Sequence, residues 1–372
     1  MKLNIAVLSG DGIGPEVTNQ AVKVLKAIAQ EFDHSFVFRS ADVGAIAIEE
    51  TGSPFPDATL KLCKASDAIL FGAIGDPKYD NDPSAKVRPE QGLLKLRKEL
   101  GLYANIRPVK AYDELLDASP LKPENIKGTD ICIYRELTGG IYFGEKTLSK
   151  DGDSATDLCA YSRVEIERVA HLAFKAAQGR RKKLTLVDKA NVLETSRLWR
   201  KVVTEMASQY SDVTLEFLFV DNAAMQIILN PKQFDVILTE NMFGDIISDE
   251  ASVIGGSIGL LASASIGDKH AMFEPIHGSY PEAKDKGIAN PIASILSAAM
   301  LLEHFNLIDE AAMIRKAIEK SLHLEITTPD LNSKYESIST SKVGDFIEDF
   351  INHPKDTNLN FTNIHVGQST II

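Results

Sequence analysis

At 372 residues the chain is long enough for two domains with a sizeable core, and 44% hydrophobic with 25% charged residues places it among folded globular proteins. Its formal net charge of −12 lacks the basic footprint that phosphate backbones require, which argues against nucleic acid as a partner. Cys63, Cys132 and Cys159 are scattered without metal spacing and read as reduced thiols; with no signal-peptide pattern and no apolar run of membrane-spanning length, a cytoplasmic protein that meets no membrane is expected.

The first predicted strand, LNIAVLSG, runs into GDGIGPE, which places Gly10, Gly12 and Gly14 at every second position. A dinucleotide fingerprint needs G-x-G-x-x-G opening a helix, and this spacing misses it by one residue. Pro15 and Glu16 suit the first turn of a helix, so a tight strand-to-helix turn is expected, with a nucleotide contact and a purely structural role both open. Further strands are expected at SFVFRSADVG, DAILFGAIGD, ICIYRE, LTLVDK, LEFLFVD and FDVILTEN, separated by longer helical patterns. That alternation predicts an α/β fold with substantial parallel sheet. The basic run GRRKKL (179–184) follows the helical VEIERVAHLAFKAAQ and is read as capping a negative helix end. From Pro354 the tail is polar and is expected to be peripheral.

Several predicted strands end in polar residues: Asp76, Arg135, Asp188 with Lys189, Asp221 and Asn241. Ligands of open α/β sheets bind outside the carboxyl ends of strands, so the chemistry is expected there. In NMFGDIISDEAS, Asp245 and Asp249 stand four apart and share a face if the segment is helical. A cation relieves the repulsion of two such carboxylates; with Asp221 as a third oxygen donor, Mg²⁺ or Mn²⁺ is the expected ion. Arg97, Arg107 and Arg135 supply planar forks for an anionic, polycarboxylate substrate, with Tyr142 close to the last of them in sequence. Lys189 is a candidate proton acceptor if cationic neighbours and desolvation lower its pKa.

Together GDGIGPE, LLKLRKELGLYANIRP, RELTGGIYFG, VDKANVLETSRLWR, VDNAAMQ, NMFGDIISDEAS, GGSIGLL and EPIHGSYPEAKDKGIANP resemble the 3-isopropylmalate dehydrogenase family of β-decarboxylating dehydrogenases, from near the N-terminus to about residue 300. The resemblance implies a two-domain, non-Rossmann α/β fold with a mixed central sheet flanked by helices. Residues 1–102 plus 256–372 would bind the cofactor, and 103–255 would carry substrate, metal and dimer contacts. It implies NAD-dependent oxidative decarboxylation of (2R,3S)-3-isopropylmalate to 4-methyl-2-oxopentanoate and CO₂, in leucine biosynthesis. Arg97, Arg107 and Arg135 would bind the malate carboxylates, Asp221, Asp245 and Asp249 the metal, and Tyr142 and Lys189 would handle protons. Lys189 and Asp221 would reach each site from the partner in a homodimer.

Leu93, Leu94 and Val192 would line the isopropyl pocket beside Glu90, near the nicotinamide. Main NAD contacts would come from 77–90 and 278–290, with Glu90, His277, Gly278, Ser279, Glu282, Ile288 and Asn290 as the cofactor residues. The GDGIGPE turn would border the adenine side. The chain departs from the family pattern at Tyr280 (commonly Ala), Glu282 (Asp), Ala262 (Pro) and Glu240 (Gly). Glu282 beside the ribose hydroxyls would favour NAD⁺ over NADP⁺ by repelling a 2′-phosphate. The alternative is a sister enzyme acting on D-malate, tartrate or isocitrate. Isocitrate enzymes resemble S-x-N-x-x-x-R in the substrate loop, where Gln91 and Leu93 stand here.

Overall fold

A computed structural model describes residues 1–80, 85–331 and 338–353. The strands are β1 (Lys2–Gly10), β2 (Ser35–Ser40), β3 (Ala68–Ala73), β4 (Ala104–Lys110), β5 (Asp130–Glu136), β6 (Lys146–Leu148) and β7 (Ala155–Asp157). They continue with β8 (Lys183–Asp188), β9 (Thr214–Phe219), β10 (Val236–Thr239), β11 (Ala262–Ile266) and β12 (Ala271–Pro275). All but β6 and β7 join one sheet in the order β2-β1-β3-β12-β11-β4-β5-β10-β8-β9; β6 and β7 form a separate hairpin.

The outer parts of the large sheet are parallel, as the alternating pattern predicts. Its centre is not: β12 with β11, β11 with β4, and β4 with β5 pair antiparallel. These three pairings make the sheet mixed. The sequence expectations found β1, β2, β3, β5, β8, β9 and β10 but not β4, β11 or β12, the strands that build this antiparallel centre.

The helix Gly14–Glu31 packs on both Thr340–Asn352 and Ile292–His304, the latter also against β11 and β12. Ile292–His304 is apolar on every side, and Ile292 through Leu302 are all buried, as expected of a helix enclosed by protein. No helix among the described residues is long and apolar enough to cross a membrane.

Burial differs between the two faces of the sheet. On one face a single apolar cluster extends from Leu3 and Leu70 through Phe273, Ala264 and Tyr134 to Leu186 and Trp199. On the other it divides into two clusters, one around Leu8, Phe71 and Leu96 and one around Ile133, Ile237 and Ile247. The inward positions between those two are polar: Asn105, Arg107, Arg135, Ser263, Ser265 and Glu274. Side chains two apart on a strand share a face, so Asn105 with Arg107 and Ser263 with Ser265 line this gap from adjacent strands.

Candidate active site

The gap between the two clusters holds three guanidinium groups. Arg107 projects from β4, Arg135 from the end of β5, and Arg97 from the helix Pro89–Glu99. Asn105 orients Arg107, accepting from its Nε at 2.7 Å, while its own amide reaches Ser265 Oγ of β11 at 3.2 Å. Arg107 also donates to Ser248 Oγ at 2.6 Å and to Asp249 at 3.0 Å, and lies 3.7 Å from Asp245. Arg135 is 4% exposed and lies under the helix Asn241–Ser252. Asn241 Oδ1 accepts from its Nε and Nη2 at 3.1 and 2.8 Å, and Nη1 donates to Asp245. Burial, with Arg107 and Arg97 nearby, pushes this guanidinium down to about 10 against the opposing pull of Asp245, which still leaves it charged at neutral pH. Arg97 donates to Glu274 of β12 at 3.0 Å.

Asp245 and Asp249 lie one turn apart on one helix and both meet Arg107, the arrangement that their spacing predicts. Asp245 Oδ2 also accepts from the Tyr142 hydroxyl at 2.9 Å. Burial and this bond to Asp245 raise the Tyr142 pKa, so the phenol keeps its proton at neutral pH. The structure thus brings Arg97, Arg107, Arg135, Tyr142, Asp245 and Asp249 into one place. Lys189 and Asp221 pair with each other at 2.8 Å, on the turn after β8 and the first turn of the helix Val220–Leu229. The lysine holds the Asp221 carboxyl below its ordinary range. No hydrogen bond or ion pair joins this pair to the arginine cluster among the described residues, and these contain no group of three His, Cys, Asp or Glu placed to hold a metal. What the chain itself offers a divalent cation is the hard carboxylate oxygens of Asp245 and Asp249.

A cavity of about 140 Å³ connects the arginines to the segment expected to meet NAD; Leu93, Arg97, Arg107, Glu274, His277 and Gly278 are among its walls. His277 is buried with Nε2 unpartnered, and burial lowers its pKa, so it presents a neutral ring. An orphaned ring nitrogen and open space over Gly278 suit a polar group of a bound cofactor. Glu90 and Ser279 converge on Gly75, where a Cβ would lie 3.0 Å from Glu90 Oε1 and 3.5 Å from Ser279 Oγ. Glu282 and Ile288 are exposed, whereas Asn290 is buried and spends its amide on Asp330 and the amide N–H of Ile292. Tyr280 adopts a left-handed φ of 38° with its ring largely exposed. Leu93 is half-buried, and Leu94 and Val192 are exposed on separate elements. Residues 81–84 of the 77–90 stretch lie outside the described residues.

GDGIGPE is a turn whose own carboxylate fills it. Asp11 accepts from Ala45 N, Ile46 N and Gly75 N, at 2.9, 3.2 and 2.9 Å. Gly12 has a φ of 58°, and a Cβ there would lie 1.9 Å from Ser279 O, which accepts from Ile13 N. Asp11 N donates to Ala73 O and Gly14 N to Asp11 O, so these two loop amides and that of Ile13 serve the protein rather than a pyrophosphate, and the turn abuts Ser279.

Two features differ from expectation or escaped it. Arg180 and Arg181 of GRRKKL do not cap the preceding helix: they bind the Asp130 and Asp235 carboxylates and the Asp130 and Phe234 carbonyls, because the neighbouring strands offer fixed acceptors. Asn105, Ser248 and Glu274 escaped sequence analysis, where only the two-residue spacing of Asn105 from Arg107 signals a shared face; Asn241 stands at one of the strand ends where the chemistry is expected. A larger cavity of about 580 Å³ is not this site, because it is lined by Ile106, Cys132, Tyr134 and Ala264 on the opposite face of the same strands.

The isocitrate/isopropylmalate dehydrogenase family profile matches residues 4–347. A 3-isopropylmalate dehydrogenase of Bacteroides fragilis is 54% identical over 94% of this chain and 99% of its own length. One of Aquifex aeolicus is 52% identical over 95% and 99%. Among solved structures, an isocitrate dehydrogenase from Methylococcus capsulatus matches with a TM-score of 0.82 at 35% identity, covering 94% of this chain and 99% of that one. A β-decarboxylating dehydrogenase from Thermococcus kodakarensis gives 0.80 at 37%, covering 96% and 99%.

Proposed function

Because the chain belongs to the isocitrate/isopropylmalate dehydrogenase family, we propose that it converts 3-isopropylmalate to 4-methyl-2-oxopentanoate and CO₂ with NAD⁺ as oxidant, in leucine biosynthesis. The observation that carries this reading is the convergence of Arg97, Arg107 and Arg135 with Asp245 and Tyr142 at a cavity that reaches His277. Arginine forks suit the two carboxylates of a malate skeleton. When bound, NAD⁺ would accept the hydride from C2, and Mg²⁺ or Mn²⁺, held by Asp245, Asp249 and a second subunit's Asp221, would polarise the C2 oxygen. Lys189 of the second subunit, an ammonium while it pairs with Asp221, can take the hydroxyl proton only after giving its own to solvent, which the approach of the arginines and of the cation to this pair favours. Loss of CO₂ from C3 leaves an enolate, which the protonated Tyr142 serves as acid.

The lack of a hydrogen bond or ion pair between Lys189–Asp221 and the arginines among the described residues supports a homodimer in which a second copy supplies that pair. Three-residue strands β6 and β7 are exposed throughout, and a lone two-stranded hairpin is marginal in water. Leu148, Met225, Leu229 and Ile246 are also exposed apolar side chains, suited to cover by a second copy. The assignment of 1–102 plus 256–372 to the cofactor and 103–255 to substrate and dimer contacts is part of the same proposal, as is a cytoplasmic location.

The alternative substrates share the arginines and metal carboxylates, so the side group decides. Leu93 and Leu94 offer apolar surface but no cation for a third carboxylate. A panel of 3-isopropylmalate, D-malate, tartrate and isocitrate, each with NAD⁺ and NADP⁺, tests the reading. Burying three additional carbons is worth ~2.4 kcal/mol, so isopropylmalate with NAD⁺ should exceed D-malate by roughly 60-fold in kcat/KM. Equal use of isocitrate or of NADP⁺ would refute it.

A further inference from the structure

Three neighbouring parallel strands end in register above the site. Thr239 of β10 pairs with Arg135 of β5 and with Val187 of β8, so the next residues, Glu136, Glu240 and Asp188, form a row across the sheet. All three are buried, at 0%, 4% and 2% exposure. The outer two have full sets of donors. Glu136 accepts from Thr138 N and Oγ1, Gly139 N and Arg168, at 3.0, 2.8, 2.7 and 3.2 Å. Asp188 accepts from Arg200 Nε and Nη2 and from Ala190 N, at 2.9, 2.8 and 3.0 Å. Glu240, between them, has neither a hydrogen bond nor an ion pair to its carboxyl among the described residues, and Oε2 is buried without a partner.

Two arginines thus serve three carboxyls. The groups near Glu240 are Glu136 on β5, Asp188 on β8, and Cys159 and Tyr161 on the segment before the helix Arg163–Gly179. None of these is a cation. A buried, unpartnered carboxylate beside two others is costly, and taking up one proton removes the cost. Burial first, then the charges of Glu136 and Asp188, push this carboxyl up to about 7.

Glu240 immediately precedes the helix that carries Asn241, Asp245 and Asp249. Asn241 is fully buried; its N donates to Tyr161 Oη at 3.0 Å, its Nδ2 to Gly139 O at 3.1 Å, and its Oδ1 accepts both bonds from Arg135. Moving the helix start moves the clamp on Arg135. We propose that Glu240 is a positioning residue that sits in this row as an uncharged carboxylic acid, and that its ionisation loosens the Asn241–Arg135 clamp and weakens substrate binding. The link to substrate rests on the function proposed above; the protonation of Glu240 does not.

The test compares wild type with Glu240→Gln, a neutral variant of the same shape, on both sides of neutral pH. In wild type, KM for isopropylmalate should rise about tenfold as pH passes through the titration, with kcat changing less. Glu240→Gln should lack the step and keep the low KM. Infrared difference spectra of the free protein supply an independent readout: a protonated-carboxyl band that titrates in wild type and is missing from the variant. An identical KM step in both proteins, or no such band, overturns the proposal. If Glu240→Gln does not fold, Glu240→Ala takes its place with the same expectations. If isopropylmalate is not turned over at any pH, the substrate reading fails while the infrared titration still decides whether Glu240 holds a proton.

Discussion

Arg97, Arg107 and Arg135 face Asp245, Asp249 and Glu274 in the site, three cations against three anions before any ligand arrives. A dicarboxylate entering alone adds two negative charges; entering with a divalent cation it adds none. Removing divalent cations should therefore weaken isopropylmalate binding itself by roughly tenfold or more, measured by calorimetry without NAD⁺, and not merely stop turnover. Glu240 makes a different prediction, about stability. Burial and the charges of Glu136 and Asp188 push its folded pKa up to about 7, above the ordinary carboxyl range, so its ionisation opposes folding. The penalty is absent below the unfolded pKa, grows as pH rises toward about 7 and is complete above it. Melting curves should show Glu240→Gln gaining on wild type across that window and level with it in acid. Residues of this kind divide by legibility. Arginines, paired aspartates and a tyrosine declare their chemistry in a sequence, whereas Ser248 and Glu274 acquire roles only when distant elements place a guanidinium beside them.

The helix Asn241–Ser252 shows how much a site depends on what an element omits. Gly244 has no side chain because Arg135 runs beneath it: a Cβ would stand 2.6 Å from Arg135 Cγ. Gly244→Ala should push the arginine out of its clamp at a cost of about 1–3 kcal/mol and raise KM for isopropylmalate by tens of fold. Steady-state kinetics with a melting curve would separate this from general unfolding. The same reasoning explains which strands could be read. β3 and β8 are apolar runs buried on both faces and were legible. β4, ANIRPVK, places Asn105 and Arg107 where a core strand would have apolar residues, because that face is the site. β11, ASASI, is short and rich in small residues, β12, AMFEP, is short and ends in Glu and Pro, and they form a strand pair because β3 and β4 flank them. Function and tertiary context, rather than local propensity, set the antiparallel centre.

At the scale of the whole molecule, the proposal that a second copy brings Lys189 and Asp221 to the arginine cluster makes a prediction about assembly. Lys189→Met and Tyr142→Phe should each impair turnover alone. Mixed under conditions where subunits exchange, they should recover up to about a quarter of wild-type activity, since one site of a heterodimer then has both residues intact and exchange makes about half the dimers mixed. Sedimentation to confirm exchange, followed by an assay with no recovery, would rule out sites shared between chains. The strand order has a consequence for synthesis as well. β3 is complete at Ala73, but its neighbour β12 begins only at Ala271. At ribosomal speeds of about 5–20 residues per second, β3 waits roughly 10–40 s with one apolar, unpaired edge available to any other strand. Every newly made chain passes through that interval, so the danger of clumping is set by the pace of translation and by whatever shields the nascent edge, long before the stability of the finished sheet has any bearing.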